Sequence, residues 1–277
     1  MNFRERIKDA NRIVIKVGTS TVTYKNGNIN LERIENLAKV IAGIVNSGKE
    51  AVLVTSGAVG AGIGKLRLKE KPGNVREKQA LSAIGQCELM HIYSKFFGEY
   101  SHIVGQILLT RDIIEDEHIK ENVCNTFELL LKKNVIPIVN ENDSVSIDEL
   151  ENIVKFGDND NLSAIVSSLI NADLLIILSD IDGFYDCDPR KNKDAKLIKE
   201  IQNFTEDLEK YAGDTGSDLG TGGMATKIKA AKVATAAGVD VILANGKDPC
   251  IVRNILRGED VGTLFVAKNR GNIKWKI

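Results

Sequence analysis

Residues 12–20 read Arg-Ile-Val-Ile-Lys-Val-Gly-Thr-Ser, and residues 51–62 read Ala-Val-Leu-Val-Thr-Ser-Gly-Ala-Val-Gly-Ala-Gly. Each opens with a short apolar run, rich in Val, Ile or Leu and of strand length, and then breaks at glycine. Four more runs have this character: Ile103 to Leu109, Val135 to Val139, Leu174 to Leu178 and Val239 to Leu243. Between the runs lie longer stretches with apolar residues near a 3.6-residue period. In Leu31 to Asn46 the face is Ile34, Leu37, Ala38, Ile41, Ile44 and Val45, and Gly48 is placed to end the helix as its C′ residue. Lys78 to Tyr100, Ile119 to Lys133, Asn161 to Ile170 and Met224 to Ala237 read similarly. Buried strands alternating with amphipathic helices are the mark of βαβ units, so the expected fold class is α/β with a largely parallel sheet.

Composition narrows the function. The chain has 277 residues, 43% hydrophobic and 27% charged, which suits a soluble globular protein with a sizeable core. A net charge of −1 offers no electrostatic footprint for nucleic acid or an anionic membrane. Arg4, Glu5, Arg6, Lys8 and Asp9 precede a first apolar run too short for a secretory signal, and Asp173 interrupts the most hydrophobic region, 162–178. A cytoplasmic protein is the expectation. Cys87, Cys124, Cys187 and Cys250 are far apart and form no C-x-x-C pair, so reduced, structural thiols are expected. His91, His102 and His118 match no metal-ligand spacing. With four prolines and no Ser/Gly-rich linker, residues 1–277 read as one domain. Asp186 to Leu197 reads as an exposed excursion, and Tyr211 to Gly223 as an aperiodic loop, a kind of segment that often carries function.

Glycines concentrate where strands give way to helices. Helix N-termini there present unsatisfied N–H groups, and glycine lets a phosphate approach the backbone. Three junctions qualify: Lys16 to Ser20, Ser56 to Gly62, and Gly220 to Lys227. None is a Walker A loop, because Gly64-Lys65 is followed by Leu66 and the first glycine position holds Val59. Gly220-x-Gly222-x-x-Ala225 matches a relaxed dinucleotide fingerprint but follows a polar segment rather than a strand. Any one such loop is more often a plain turn; three with flanking lysines point to phosphate. Lys16 lies within an apolar strand pattern, where an ammonium is costly unless something negative meets it. Lys227 lies one turn into a helix, against the macrodipole, which again suggests a bound anion. Two acidic and amide-rich loops, Asn140-Glu141-Asn142-Asp143 and Gly157-Asp158-Asn159-Asp160-Asn161, sit where α/β sheets bind ligands. Capping by Asp158 or Asn159, or an Asx turn at Asn142-Asp143, accounts for single residues but not for all of them.

Taken in order, Ile15-Lys16-Val17-Gly18-Thr19-Ser20, Ser56-Gly57-Ala58, Asn140 to Asp143, Phe156 to Ala164, Ser179-Asp180-Ile181-Asp182-Gly183-Phe184-Tyr185 and Gly220 to Lys227 resemble the amino acid kinase family. The match spans nearly the whole chain, and Asn140 to Asp143 followed by the run Phe156 to Ala164 is the part more specific to the glutamate-phosphorylating members. The resemblance implies a three-layer α/β/α sandwich. It implies phosphorylation of the γ-carboxylate of L-glutamate by ATP with Mg²⁺, the first step of proline biosynthesis. Carried over to this chain, Lys16, Asp160 and Lys227 would be catalytic, with Lys16 on the transferring phosphoryl group, Lys227 stabilising charge and Asp160 organising both. Ser56, Asp143 and Asn159 would bind glutamate. Lys16, Ser179, Asp180, Thr221, Gly222, Gly223, Met224, Ala225, Thr226 and Lys227 would contact the nucleotide. The attacking carboxylate is ionised near neutral pH, so no general base is needed, and no metal ligands are assigned. A homo-oligomer, dimer or tetramer, and feedback inhibition by proline are also implied. Many bacterial members continue into a C-terminal PUA domain, and a chain ending at Trp275-Lys276-Ile277 is expected to be a short form without it. The alternatives are a sibling kinase with another acidic substrate, or an amino-acid and nucleotide sensor that has lost turnover.

Overall fold

A computed structural model describes residues 3–24, 26–70, 72–110, 115–145, 159–205, 208 and 223–268. The first strand, β1 (Arg12–Val17), lies inside the sheet, as five buried residues of its six require. It is followed by the short α1 (Thr19–Val22), α2 (Leu31–Asn46), β2 (Glu50–Val54), α3 (Ala58–Leu66), α4 (Val75–Glu99) and β3 (Ile103–Leu109). Then come α5 (Glu117–Lys132), β4 (Val135–Glu141), α6 (Asn159–Leu169) and β5 (Leu174–Ser179). A two-stranded ribbon pairs β6 (Phe184–Tyr185) with β7 (Leu197–Ile198), and β8 (Glu200–Ile201), α7 (Met224–Ala236), β9 (Asp240–Asn245), α8 (Ile251–Leu256) and β10 (Thr263–Phe265) follow among the described residues.

Among the described residues, eight strands form one sheet in the order β3-β4-β2-β1-β5-β9-β10-β8. The first six run parallel; β10 is antiparallel to β9, and β8 pairs with β10 in parallel. Side chains alternate across the pleat, so two separate cores form. On one face Ile13, Ile15 and Val17 of β1 join α2, α4 and α8 through residues such as Ile41, Phe97 and Val252. On the other, Val14 joins α5, α6 and α7 through Phe127, Val166 and Ala231. This is an α/β/α sandwich, and the period of two sends Lys16 to the α6 and α7 side. At the opposite edge of the sheet, Arg12 is 2.5 Å from both Glu50 and Glu128.

Helix ends follow local chemistry. Asn30 caps α2 by accepting from the Arg33 N–H, Asn74 caps α4 from the Glu77 N–H, and Asp116 caps α5. Gly48 takes the left-handed conformation, φ 86°, that a C′ glycine provides. The Asn74 cap starts α4 three residues before the periodicity suggests, and Asn159 is the first residue of α6 rather than its cap. Asp158, and all of the Tyr211 to Gly223 loop except Gly223, lie outside the described residues. The glycine-rich segment after β2 is itself a helix, α3. It packs on α4 with backbones in contact: a Cβ on Gly85 would fall 1.8 Å from the Ala58 carbonyl oxygen, and one on Gly62 would fall 2.1 Å from that of Leu81. Among the described residues, no helix is long and apolar enough to cross a membrane.

Gly85→Ala should therefore force the two backbones apart and lower stability by about 1–3 kcal/mol or more, as overpacking does. The measurement is the urea midpoint; an unchanged midpoint would show that α3 and α4 do not meet at this glycine.

Candidate functional site

Lys16 is the penultimate residue of β1 and only 5% exposed. Its ammonium meets the carboxylate of Asp160, which is completely buried in the first turn of α6. The other oxygen of Asp160 lies 3.1 Å from Nζ of Lys227, itself buried in the first turn of α7. Thr226 adds its hydroxyl at 3.3 Å from the same oxygen. A helix N-terminus favours a carboxylate, so the first turn of α6 suits Asp160, and Asp160 in turn offsets the desolvation of two ammonium groups. Three elements distant in sequence thus deliver their charges to one point at the C-terminal edge of the sheet.

Next along the chain, Asn159 ties this point to a second cluster. Its Nδ2 lies 2.7 Å from the Thr55 carbonyl oxygen, 2.8 Å from Ser56 Oγ and 2.9 Å from Asn140 Oδ1. An amide NH₂ has two hydrogens, so these three acceptors share them. Asn140 donates through Nδ2 to Gln86 Oε1 at 2.9 Å. Asp143, at the end of the same loop, accepts from Ser82 Oγ at 3.2 Å. Tyr93 and Thr55 exchange a hydrogen bond of 2.8 Å beneath the cluster, and full burial raises the Tyr93 hydroxyl pKa well above its ordinary value. Ser56 follows β2, and the turn that carries it needs Gly57 in the left-handed region at φ 96°, where a Cβ would also meet Val22 Cγ2 at 2.6 Å.

On the other side of Lys227 opens a cleft of about 350 Å³, lined by Ser179, Asp180, Phe184, Tyr185, Met224 and Lys227 among others. Ser179 ends β5 and donates to Asp180. Phe184 and Tyr185 of β6 supply one wall, and Cys187 to Arg190 of the polar excursion help frame the cleft. Gly223 and Met224 also line it, Thr226 turns to Asp160, and Ala225 is exposed in the same turn. Thr221 and Gly222 lie outside the described residues.

The structure therefore brings Lys16, Asp160 and Lys227 together, with Ser56, Asn159 and Asp143 on one side and Ser179, Asp180 and Met224 on the other. Residues 11–245 match the model of the amino acid kinase family. This chain belongs to the amino acid kinase family. Among curated relatives, glutamate 5-kinase of Clostridium perfringens is 66% identical over 266 residues, 96% of this chain and 99% of the relative. Glutamate 5-kinase of Listeria innocua is 55% identical over 266 residues, 96% of each. The crystal structure of T. acidophilum isopentenyl phosphate kinase in its product complex superposes with a TM-score of 0.62 at 16% identity, covering 92% of this chain and 99% of that one, which establishes the fold.

Sequence reading missed Ser82, Gln86 and Tyr93 of α4. The signal was there: Ser82, Gln86, Leu89, Tyr93 and Phe97 follow at helical spacing and form one buried stripe, in which the polar members interrupt an otherwise apolar face.

Replacing Asp160 by Asn leaves two buried ammonium groups facing an amide, and removing one partner of a buried pair typically costs about 3–5 kcal/mol. Asp160→Asn is thus expected to lower the urea midpoint strongly, and an unaltered midpoint would show that the lysines do not depend on it.

Proposed function

We propose that this chain transfers the terminal phosphoryl group of ATP to the γ-carboxylate of L-glutamate, giving ADP and L-glutamyl 5-phosphate, the first step of proline biosynthesis. The observation that carries the reading is the placement of Asp160: one buried carboxylate holds both lysines between the Asn159 cluster and the Lys227 cleft. The high identity to glutamate 5-kinases over 96% of the chain supports the choice of substrate. The whole of residues 1–277 acts as one kinase unit in this reading.

Ser56, Asn159 and Asp143 hold glutamate, with Asp143 suited to the α-ammonium group. Ser179, Asp180 and the segment Thr221 to Lys227 hold ATP, with Gly223 and Met224 in the wall of the cleft. Lys16 and Lys227 contact oxygens of the transferring group, where charge rather than covalent chemistry is needed. An oxygen of the γ-carboxylate attacks phosphorus, the bond from phosphorus to the bridging oxygen breaks, and its electron pair leaves with ADP. The carboxylate is already ionised, so no side chain has to remove a proton, and alignment accounts for the rate.

Mg²⁺ suits the same cleft, because Asp180 and Asp182 supply carboxylate oxygens to its lining. Bound with the nucleotide, it would neutralise charge on the phosphate oxygens. Resemblance to the family further supports a homo-oligomer, dimer or tetramer, inhibition by proline at the glutamate site, and action in the cytoplasm.

The test is ADP release by purified protein with ATP and Mg²⁺, with and without L-glutamate, with hydroxylamine trapping the acyl phosphate. Glutamate-dependent ADP with hydroxamate establishes carboxylate phosphorylation; thermal stabilisation by glutamate or ATP without ADP would favour a sensor. Two substitutions separate the roles. Lys227→Ala should lower kcat on the order of 10²-fold or more with little change in glutamate KM, and near-normal turnover would remove it from the transition state. Asp143→Ala should act mainly on glutamate KM, and an unchanged value would remove it from the substrate site.

A further inference from the structure

Gln86 is only 7% exposed, yet it brings a primary amide into the buried stripe of α4. Its orientation is forced by a backbone group two links away. The Glu141 N–H can only donate, and it points at Asn140 Oδ1 at 2.9 Å. Asn140 must therefore turn its Nδ2 to Gln86, and Gln86 must answer with Oε1, at 2.9 Å. That leaves Gln86 Nε2 buried with no hydrogen-bond partner among the described residues. A buried donor without an acceptor carries its full desolvation penalty, so the Gln86 amide is only half satisfied where it sits.

We infer that Gln86 is a positioning residue for the glutamate site, acting through Asn140. Its Oε1 holds Asn140 so that Oδ1 faces the Asn159 Nδ2 at 2.9 Å, and Asn159 in turn reaches Ser56 Oγ. Without Gln86, the Asn140 amide loses its anchor on the α4 side and the acceptor that orients Asn159 is no longer held. The chain of contacts then runs from α4 to the substrate cluster without touching the nucleotide cleft, which Gln86 does not line. Its loss should be felt by glutamate and not by ATP. This inference rests on the reading of the Ser56, Asn159 and Asp143 cluster as the amino-acid site.

Gln86→Met keeps the shape, removes the Oε1 acceptor and removes the orphaned donor. Its expected signature is a glutamate KM raised by about tenfold, as loss of one orienting hydrogen bond predicts, an ATP KM unchanged, and a melting temperature close to that of the wild type, because the orphaned donor at Gln86 Nε2 is exchanged for one at Asn140 Nδ2. Acting through Asn140 has a stricter consequence: in a cycle of Gln86→Met, Asn140→Ala and the double variant, the effects on glutamate KM should not add, and the double variant should be no worse than Asn140→Ala alone. An unchanged glutamate KM in Gln86→Met, additive effects in the cycle, or a fall in melting temperature with both KM values rising would each overturn the proposal. If the wild type itself releases no glutamate-dependent ADP, the reading of the site fails first and the inference falls with it; wild-type turnover with any of the three contrary results sinks the inference alone.

Discussion

One carboxylate organises this molecule's chemistry. Asp160 is wholly buried, and it meets ammonium groups from β1 and from α7. Neither lysine could sit in the interior alone, because an unpaired ammonium there loses far more solvation than packing returns. The position of Asp160 is set in turn by α6, whose N-terminal turn suits an anion and whose apolar face is locked into the sheet through Leu162 and Val166. A buried charge cluster of this kind is poor as a source of stability and useful as a device for placing two positive charges a fixed distance apart.

The Asn159 cluster obeys a different constraint, close backbone packing. Gly62 and Gly85 let α3 and α4 approach until backbone meets backbone, and this brings the polar stripe of α4 under the loops that follow β2 and β4. Ser82 then reaches Asp143, Gln86 reaches Asn140, and Tyr93 reaches Thr55. The glycines of this region thus serve two ends. Gly57 shapes the turn behind Ser56, while Gly62 and Gly85 set the spacing of the helices that support it. A pattern search for phosphate loops sees only that glycine is abundant.

The cleft beside Lys227 has a third origin, the short ribbon of β6 and β7. It projects from the end of β5 and walls the cleft with Phe184 and Tyr185. Its strands of two residues are too short for any periodicity to reveal them, and the polar run between them gives no hint of enclosing a cavity. The late strands β8 and β10 are hidden for the same reason. Their place in the sheet depends on pairing partners far away in the chain, Val241 to Leu243 for β10 and then β10 itself for β8.

What the sequence determined by itself was the set of elements whose physics is local. Six apolar runs became the six parallel strands within two residues of their expected ends, and the 3.6-residue faces became α2, α4, α5, α6 and α7. Lys16 was legible as a buried cation because it interrupts an apolar strand, and Lys227 because it opposes a helix dipole. Tertiary structure alone decided that these two share one partner, since β1, α6 and α7 meet only when the sheet is assembled. It alone decided that α4 supplies the floor of the Asn159 cluster, because a buried glutamine and a surface glutamine look alike until a neighbouring helix covers one of them. Burial is a property of the assembled layers, and hydrogen-bond partners separated by tens of residues leave no periodicity along the chain from which they could be read.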